Sequence, residues 1–250
     1  KQTKKQAPHL FDLGALQQEA NKKLGLTAQN TLTIAQSLYD KHKLLTYLRT
    51  ASKHLAQTQK ADVSFTLGNL SDLEINSVVV SQEMIAQCKG NVAKSNSFND
   101  KKITDHHAII PTKAKPRLEY LSADEKAIYL MVCQRFVERF MPDLVEQKTK
   151  MTTWVQDLEF AKNGNVIVEK GWTVFEPKKD GVLPLIKDGT SLGIDEFSIL
   201  KGKTSPPPLL TEAALLKLME NGGREITDEE LRQAIKGKGI GMPATRASII

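Results

Sequence analysis

The spacing of apolar residues changes from helical to strand-like close to Pro142, and this change constrains the fold more than any other feature. Before it, Ser122 and Glu125 form the Ser-x-x-Glu pattern that caps the start of a helix. The apolar residues that follow have helical spacing: Ile128, Tyr129, Val132, Phe136 and Phe140. Beyond Pro142, short apolar segments between turn residues predict strands. The sequence therefore predicts an α+β chain of several domains.

Residues 1–143 are predicted to form a helical domain. Asp12 and Thr27 are favoured N-cap residues, and they precede predicted helices at 13–23 and 28–40. An extended run at 44–50 follows, and two helices with a short strand are compatible with a winged-helix-like unit. Weaker helical patterns and then a polar loop are predicted at 53–60, 80–88 and 89–105.

The remaining 107 residues are predicted to form two further parts. Residues 144–205 read as a partial antiparallel β domain with an open, association-prone edge. Its strands are predicted at 152–155, 166–169 and 173–175, with turns at 163–165 and 179–181. Residues 206–250 are predicted to form a short helical segment, which a stiff Pro-rich linker at 205–208 joins to the β region. Its helices are predicted at 211–221, from Asp228 to about 235, and from Pro243, with a loop at 237–241.

The net charge of +6 is concentrated in the first domain. Residues 1–143 hold 20 Lys and Arg against 14 Asp and Glu, a net of +6, while the two later parts are each neutral. Because basic side chains release counterions from nucleic acid, this asymmetry indicates a polyanionic partner. Aromatic residues make up only 6%, so base stacking is not the expected binding mode.

Several other classes are disfavoured. No apolar run is long enough to span a bilayer, and no signal peptide is evident. Cys88 and Cys133 lie far apart and outside any Cys-x-x-Cys pair, so neither a zinc site nor a disulfide is implied. We expect a cytoplasmic protein with two reduced thiols.

A tyrosine and an arginine two residues apart, Tyr47 and Arg49, are the candidate chemical pair. In an extended run both side chains point to the same face. A phenol can attack a phosphodiester while the planar guanidinium binds the phosphate oxygens. Taken alone, such a pair more often serves packing or the surface, so the assignment depends on further motifs.

Those motifs lie on both sides of the pair, in a fixed order. Upstream are Leu10-Phe11-Asp12-Leu13, Leu16-Gln17-Gln18-Glu19-Ala20-Asn21 and Thr33-Ile34-Ala35-Gln36-Ser37-Leu38-Tyr39. Downstream are Asp105-His106-His107-Ala108-Ile109-Ile110-Pro111-Thr112 and the run from Gly239 to Ile250. Together they resemble the type IA DNA topoisomerases, and the Asp-His-His form is most similar to the topoisomerase III branch.

The resemblance implies a particular reaction and a larger enzyme. Members cut one DNA strand through a 5′-phosphotyrosine link and reseal it without ATP, which relaxes or decatenates DNA. They hold Mg²⁺ in an N-terminal acidic domain with an Asp-x-Asp-x-Glu cluster, and no Asp-x-Asp occurs here. We therefore expect an internal fragment that has no metal ligands of its own and is inactive alone.

The resemblance also assigns roles to individual residues. Tyr47 is the implied nucleophile, Arg49 the phosphate-binding group, and His106 a donor to phosphate or to the leaving group, with His107 structural. Contacts with the DNA backbone are expected from a wider set: Thr50, Ser52, Lys43, Lys53, Thr245 and Arg246. The implied partners are DNA, chiefly single-stranded, and a helicase, with a location at the bacterial nucleoid and no membrane contact.

Two positions depart from the family pattern and keep an alternative open. Leu48 stands where members usually have proline or methionine, and Ala51 replaces the aspartate of Tyr-x-Arg-Thr-Asp-Ser. The second change favours a non-catalytic, single-stranded-DNA-binding module as the competing hypothesis. A tyrosine recombinase is disfavoured because no His-x-x-Arg occurs and Tyr47 precedes His106. A structural domain with chance motifs is disfavoured by their number and order.

Overall fold

The computed structural model describes residues 1–176, 179–194, 196, 198–222, 227–235 and 239–250. The described helices are α1 (Leu13–Leu24), α2 (Ala28–Asp40), α3 (Lys60–Asn69), α4 (Gln82–Val92), α5 (Ala123–Phe140), α6 (Glu212–Glu220), α7 (Glu229–Ile235) and α8 (Pro243–Ile249). The described strands are β1 (Gln2–Lys5), β2 (Glu74–Ile75), β3 (Val78–Val79), β4 (Leu144–Val155) and β5 (Leu158–Glu169). This mixture of helices and antiparallel sheets confirms the α+β class, while the domain boundaries stay predictions.

The helices with strong capping signals begin where the sequence predicts. Side-chain oxygens of Asp12 and Thr27 accept backbone N–H groups at the starts of α1 and α2, at 2.7 and 3.1 Å. Ser122 and Glu125 form the predicted reciprocal capping box of α5. Gly25 ends α1 with a φ of 69°, a left-handed conformation that glycine adopts without strain.

The weaker helical predictions are displaced along the chain. The segment predicted at 53–60 is extended at Leu55, which pairs with Phe98, and α3 starts only at Lys60 after a 3₁₀ turn. The helix predicted at 80–88 is α4, and it extends to Val92, into the stretch predicted as a loop.

One apolar core joins α1 to α5. Its largest fully buried side chains include Tyr129, Phe11, Phe136 and Phe140. The short segments between these helices also contribute, because Leu45, Leu48 and Ile109 are at most 1% exposed. The motif segments are therefore anchored in the core by these apolar side chains.

The β region is a long hairpin rather than several short strands. β4 and β5 pair antiparallel over almost their whole length, and the reversal lies at Gln156-Asp157, where Gln156 has a φ of 53°. The turn predicted at 163–165 is wrong, because these residues pair within the strand. Glycine at position 164 allows the backbone of Gly181 to come close, since a Cβ atom there would lie 2.5 Å from the Gly181 carbonyl oxygen.

Three further predictions need correction. Residues 173–175 belong to a 3₁₀ helix, Gly171–Phe175, because Gly171 reverses the chain at a φ of 48° and Phe175 packs into the core. Asp180 and Gly181 lie along the edge of β5 instead of forming a free turn, and Gly181 pairs with Asn165 there. The run at 44–50 is not a strand, since its ladder consists of the single bridge between Leu45 and Pro111. The winged-helix-like unit therefore stays a prediction.

Two of the C-terminal helices, α6 and α8, pack on α1 and α2. Glu212 accepts a hydrogen bond from the Ala28 N–H at 2.7 Å, and Asn21 accepts one from the Ala213 N–H at 3.1 Å. Thr211 and Asp228 cap α6 and α7 as predicted, while Gly237 of the predicted loop lies outside the described residues. None of the described helices has the length and apolar composition needed to cross a bilayer.

Candidate active site

Tyr47 and His106 lie against each other although they are 59 positions apart in sequence. Their ring centroids are 4.3 Å apart with the planes tilted by 48°. The contact arises because residues 44–46 run beside 110–112: the Thr46 N–H donates to the Ile110 carbonyl at 3.0 Å, and the Thr112 N–H donates to the Leu44 carbonyl at 2.9 Å. Two predicted site residues are thus brought together by backbone pairing.

Thr50 ties the tyrosine segment to the histidine loop a second time. Its hydroxyl donates to the His106 carbonyl at 2.8 Å, and its own carbonyl accepts from the Leu13 N–H at 3.2 Å. The loop is also held beyond His106, where Thr46 Oγ1 donates to the Ala108 carbonyl at 3.2 Å. These bonds fix both segments on the start of α1.

Burial alternates along the tyrosine segment even though it is not a strand. Leu48 and Thr50 are at most 3% exposed, whereas Tyr47 is half-buried and Arg49 is exposed. In the described part of the chain, nothing accepts a hydrogen bond from the Arg49 guanidinium or forms an ion pair with it. Its five N–H donors therefore face solvent, available to an anion.

The hydroxyls of Thr50 and Ser52 do not reach the surface. Both residues are 3% exposed, and Ser52 Oγ donates to the Lys102 carbonyl at 2.9 Å while accepting from the His54 N–H at 3.1 Å. A phosphate contact would require each hydroxyl to leave its protein partner. In this structure both hydroxyls bond to backbone groups, and their contact with DNA stays a prediction.

The two lysines of the predicted site have different surroundings. Lys53 forms an ion pair with the carboxylate of Asp12 at 3.4 Å. Burial raises the pKa of Asp12 above its usual value, and the charge of Lys53 opposes that effect. The Lys43 ammonium lies 5.7 Å from the ring centroid of Tyr39. Lys43 is more exposed to solvent, and Lys53 is partly neutralised.

Positive charge extends beyond these two lysines. Burial lowers the pKa of His54, and the charges of Lys102 and Arg139 lower it further. The ring of His9 lies 5.3 Å from that of His54, and its pKa is lowered by burial and by Arg139. Burial first, and basic neighbours second, thus lower the pKa of both imidazoles, and those neighbours agree with the charge asymmetry of the sequence.

The side chains of Thr245 and Arg246 make their contacts mainly within the C-terminal segment. Arg246 is 5% exposed, forms an ion pair with Glu220 at 3.4 Å and donates from Nε to the Ile240 carbonyl at 3.0 Å. Thr245 Oγ1 accepts from the Met242 N–H at 3.2 Å and so caps α8. As with Thr50 and Ser52, a phosphate contact by Arg246 would require a rearrangement.

The comparison with known proteins decides the family. A family model described as DNA topoisomerase matches residues 1–250. The chain belongs to the DNA topoisomerase family. It is 34% identical to DNA topoisomerase 3 of Bacillus licheniformis, over 98% of this chain and 35% of that protein. It is 32% identical to DNA topoisomerase 3 of Haemophilus influenzae, over 99% of this chain and 38% of that protein.

These topoisomerase relatives confirm the predicted family, and their names agree with the predicted topoisomerase III branch. The chain spans little more than a third of their length. Among solved structures, full-length topoisomerase I of Thermotoga maritima superimposes with a TM-score of 0.59 at 21% identity, over 99% of this chain and 38% of that one. This likeness shows a shared fold.

Two other tyrosines of this topoisomerase chain offer a contrast to Tyr47. Tyr129 is fully buried in α5, and burial raises the pKa of its phenol well above the usual range. Tyr120 is 66% exposed and lies in a 3₁₀ turn outside the motifs. Tyr47 combines partial exposure, a contact with the His106 ring and an exposed arginine two residues later in the sequence.

The described residues do not fit a metal ion. No group of three His, Cys, Asp or Glu side chains among them is arranged to hold one. Asp105, beside the histidine pair, is exposed. We therefore assign no metal to these residues and derive no step through one.

Sequence reasoning missed a carboxylate that organises the end of α2. Glu125 was identified only as a cap of α5, but its Oε1 also accepts from Ser37 Oγ at 2.6 Å and lies 3.2 Å from His42 Nε2. Ser37 lies in one of the motif runs, yet its partner is 88 positions away. The sequence offers no signal that would join these positions.

We predict that Glu125 makes the free energy of unfolding depend on pH in the acidic range. The hydrogen bond from Ser37, with those from Ser122, lowers the pKa of Glu125 to about 2. Its contribution is therefore present above about pH 4.5 and is lost as the pH falls toward 2. E125Q should cost about 1–2 kcal/mol at neutral pH. Urea titrations at pH 7 and pH 2.5 should show this cost shrinking with acid, while the exposed control E119Q shows little effect at either pH; an unchanged E125Q cost would contradict the assignment.

Proposed function

We propose that this chain carries the nucleophile of a type IA DNA topoisomerase and that Tyr47 is that nucleophile. The supporting observation is the contact between the Tyr47 and His106 rings, with Arg49, two residues along the chain, exposed and without a partner among the described residues. The Tyr47 oxygen attacks phosphorus in single-stranded DNA, a bond from oxygen to the 5′-phosphate forms, and the bond to the 3′-oxygen breaks. The phenol loses one proton in this step, and the departing 3′-oxygen gains one to become a hydroxyl.

Each side chain has a distinct role in this exchange. The Arg49 fork binds the non-bridging oxygens and offsets the charge that grows on them in the transition state. His106 donates to a phosphate oxygen or transfers a proton at the leaving group. Because one phosphate ester replaces another, the reverse attack by the 3′-hydroxyl reseals the strand without ATP.

In the longer enzyme, this exchange would relax or decatenate DNA. Mg²⁺ would be held by acidic groups outside these 250 residues, and the chain alone would neither cleave nor relax DNA. The basic first domain supports binding to a single strand through its phosphates.

Trapping the covalent complex tests the proposal. The full-length enzyme is denatured during reaction with a labelled single-stranded oligonucleotide, digested with trypsin and analysed by mass spectrometry. Cleavage after Lys43 and Arg49 releases residues 44–49, which should carry the nucleotide on Tyr47. An adduct elsewhere would refute the assignment. Binding without any adduct would favour the DNA-binding module, the alternative that Ala51 supports.

A further inference from the structure

A second aromatic ring contacts Tyr47. Tyr39, near the end of α2, meets it edge-on, with centroids 5.5 Å apart and an angle of 76° between the planes. Since His106 contacts the same ring at 4.3 Å, Tyr47 has two aromatic neighbours, one from a helix and one from a distant loop. Edge-to-face pairs of this geometry are favourable and directional.

Tyr39 is itself held firmly. Ser37, one half-turn earlier in α2, donates to Glu125 at the start of α5. The turn that follows is bound back to the helix, because the Leu44 N–H donates to the Leu38 carbonyl at 2.9 Å. Lys43 completes that turn with a φ of 56°, and its carbonyl accepts from Thr112 Oγ1 at 2.7 Å. Tyr39 therefore rests on a frame that includes both α5 and the histidine-bearing segment.

The main chain around Tyr47 is held on both sides, by the bond from the Thr46 N–H to the Ile110 carbonyl at 3.0 Å and by the bond from the Thr50 hydroxyl to the His106 carbonyl at 2.8 Å. These bonds fix the backbone, but they do not set the rotation of the Tyr47 ring. A half-buried phenol on such a segment needs side-chain contacts to keep one orientation. The rings of Tyr39 and His106 provide them.

We infer that Tyr39 is a positioning residue that holds the Tyr47 ring against His106 before DNA arrives. This inference rests on the proposed function, since it matters only if Tyr47 attacks the phosphate. Tyr39 itself transfers no proton and touches no reacting atom. Its effect is on geometry, and displacement of a reacting group by about 1 Å can cost on the order of 100-fold in rate.

Comparison of Y39F with Y39L tests the inference, because phenylalanine keeps the ring and leucine removes it. The chain contains only four tyrosines, so ¹³C-labelled tyrosine gives a simple NMR spectrum. Cross-peaks between the Tyr47 and His106 rings should persist in Y39F and weaken at least about 2-fold in Y39L. Y120L, at an exposed tyrosine outside the motifs, is the matched control and should leave them unchanged.

The same variants are then assayed in the full-length enzyme. At saturating oligonucleotide, Y39L should form the adduct about 10-fold more slowly with unchanged DNA affinity, and Y39F should stay within about 2-fold of the parent. If Y39L melts early, Y39M replaces it. Unchanged cross-peaks in the ring-free variant would overturn the inference, as would an unchanged adduct rate. An adduct that survives Y47F would instead overturn the proposed function.

Discussion

Replacing Tyr47 with phenylalanine should abolish covalent DNA cleavage, lowering adduct formation by at least about 1,000-fold. The variant lacks the phenol oxygen that we propose is esterified, but it keeps the ring that contacts His106 and Tyr39. We therefore expect wild-type folding and wild-type affinity for a single strand. Gel detection of the adduct, together with fluorescence anisotropy on the same oligonucleotide, would separate loss of chemistry from loss of binding.

Y120F is the matched control for this experiment. Tyr120 is an exposed tyrosine outside the motifs, so its phenol should be dispensable. Retention of the adduct in Y120F and its loss in Y47F would assign the nucleophile to a single oxygen. Cleavage by Y47F at a rate near that of the parent would contradict the proposal.

Removal of the Arg49 guanidinium should produce the second largest effect. R49A should lower the single-turnover cleavage rate by about 100- to 1,000-fold, the usual cost of losing one donor to developing oxyanion charge. R49K keeps the charge but loses the planar fork, so we expect a loss of at least about 10-fold. The rate is to be measured at saturating DNA, because a change in affinity alone would then disappear.

K41A tests whether net charge alone explains the arginine effect. Lys41 is exposed and follows α2, six positions before Tyr47, and its removal deletes the same charge as R49A. We expect less than about 2-fold change at saturating DNA. Equal losses in K41A and R49A would show that Arg49 acts only through the general basic field.

Local signals predicted the structure well where a side chain and its backbone partner lie within one turn. Asp12, Thr27 and Ser122 cap helices as expected, because N-cap bonds span only three residues. The β region was harder to predict. Asn163-Gly164-Asn165 has turn composition, yet Gly164 lies within β5, where the Gly181 backbone approaches too closely for a Cβ atom. Composition does not reveal that neighbour.

In the candidate site, too, features set by neighbouring residues were predictable, whereas contacts between residues far apart in sequence were not. Tyr47 and Arg49 were identified from two-residue spacing, but the contact with His106 was implied only by the order of the family motifs. Tyr39 was part of a motif without an assigned role. Thr50 and Ser52 were expected at the DNA, but burial directs their hydroxyls to backbone carbonyls, and sequence spacing carries no such information.

The bond from the Thr50 hydroxyl to the His106 carbonyl has a mechanical consequence. It links the tyrosine segment directly to the loop that carries the imidazole. In the proposed reaction, a DNA end attached to Tyr47 would therefore stay close to His106, and the pair would not have to be assembled again before the strand is resealed.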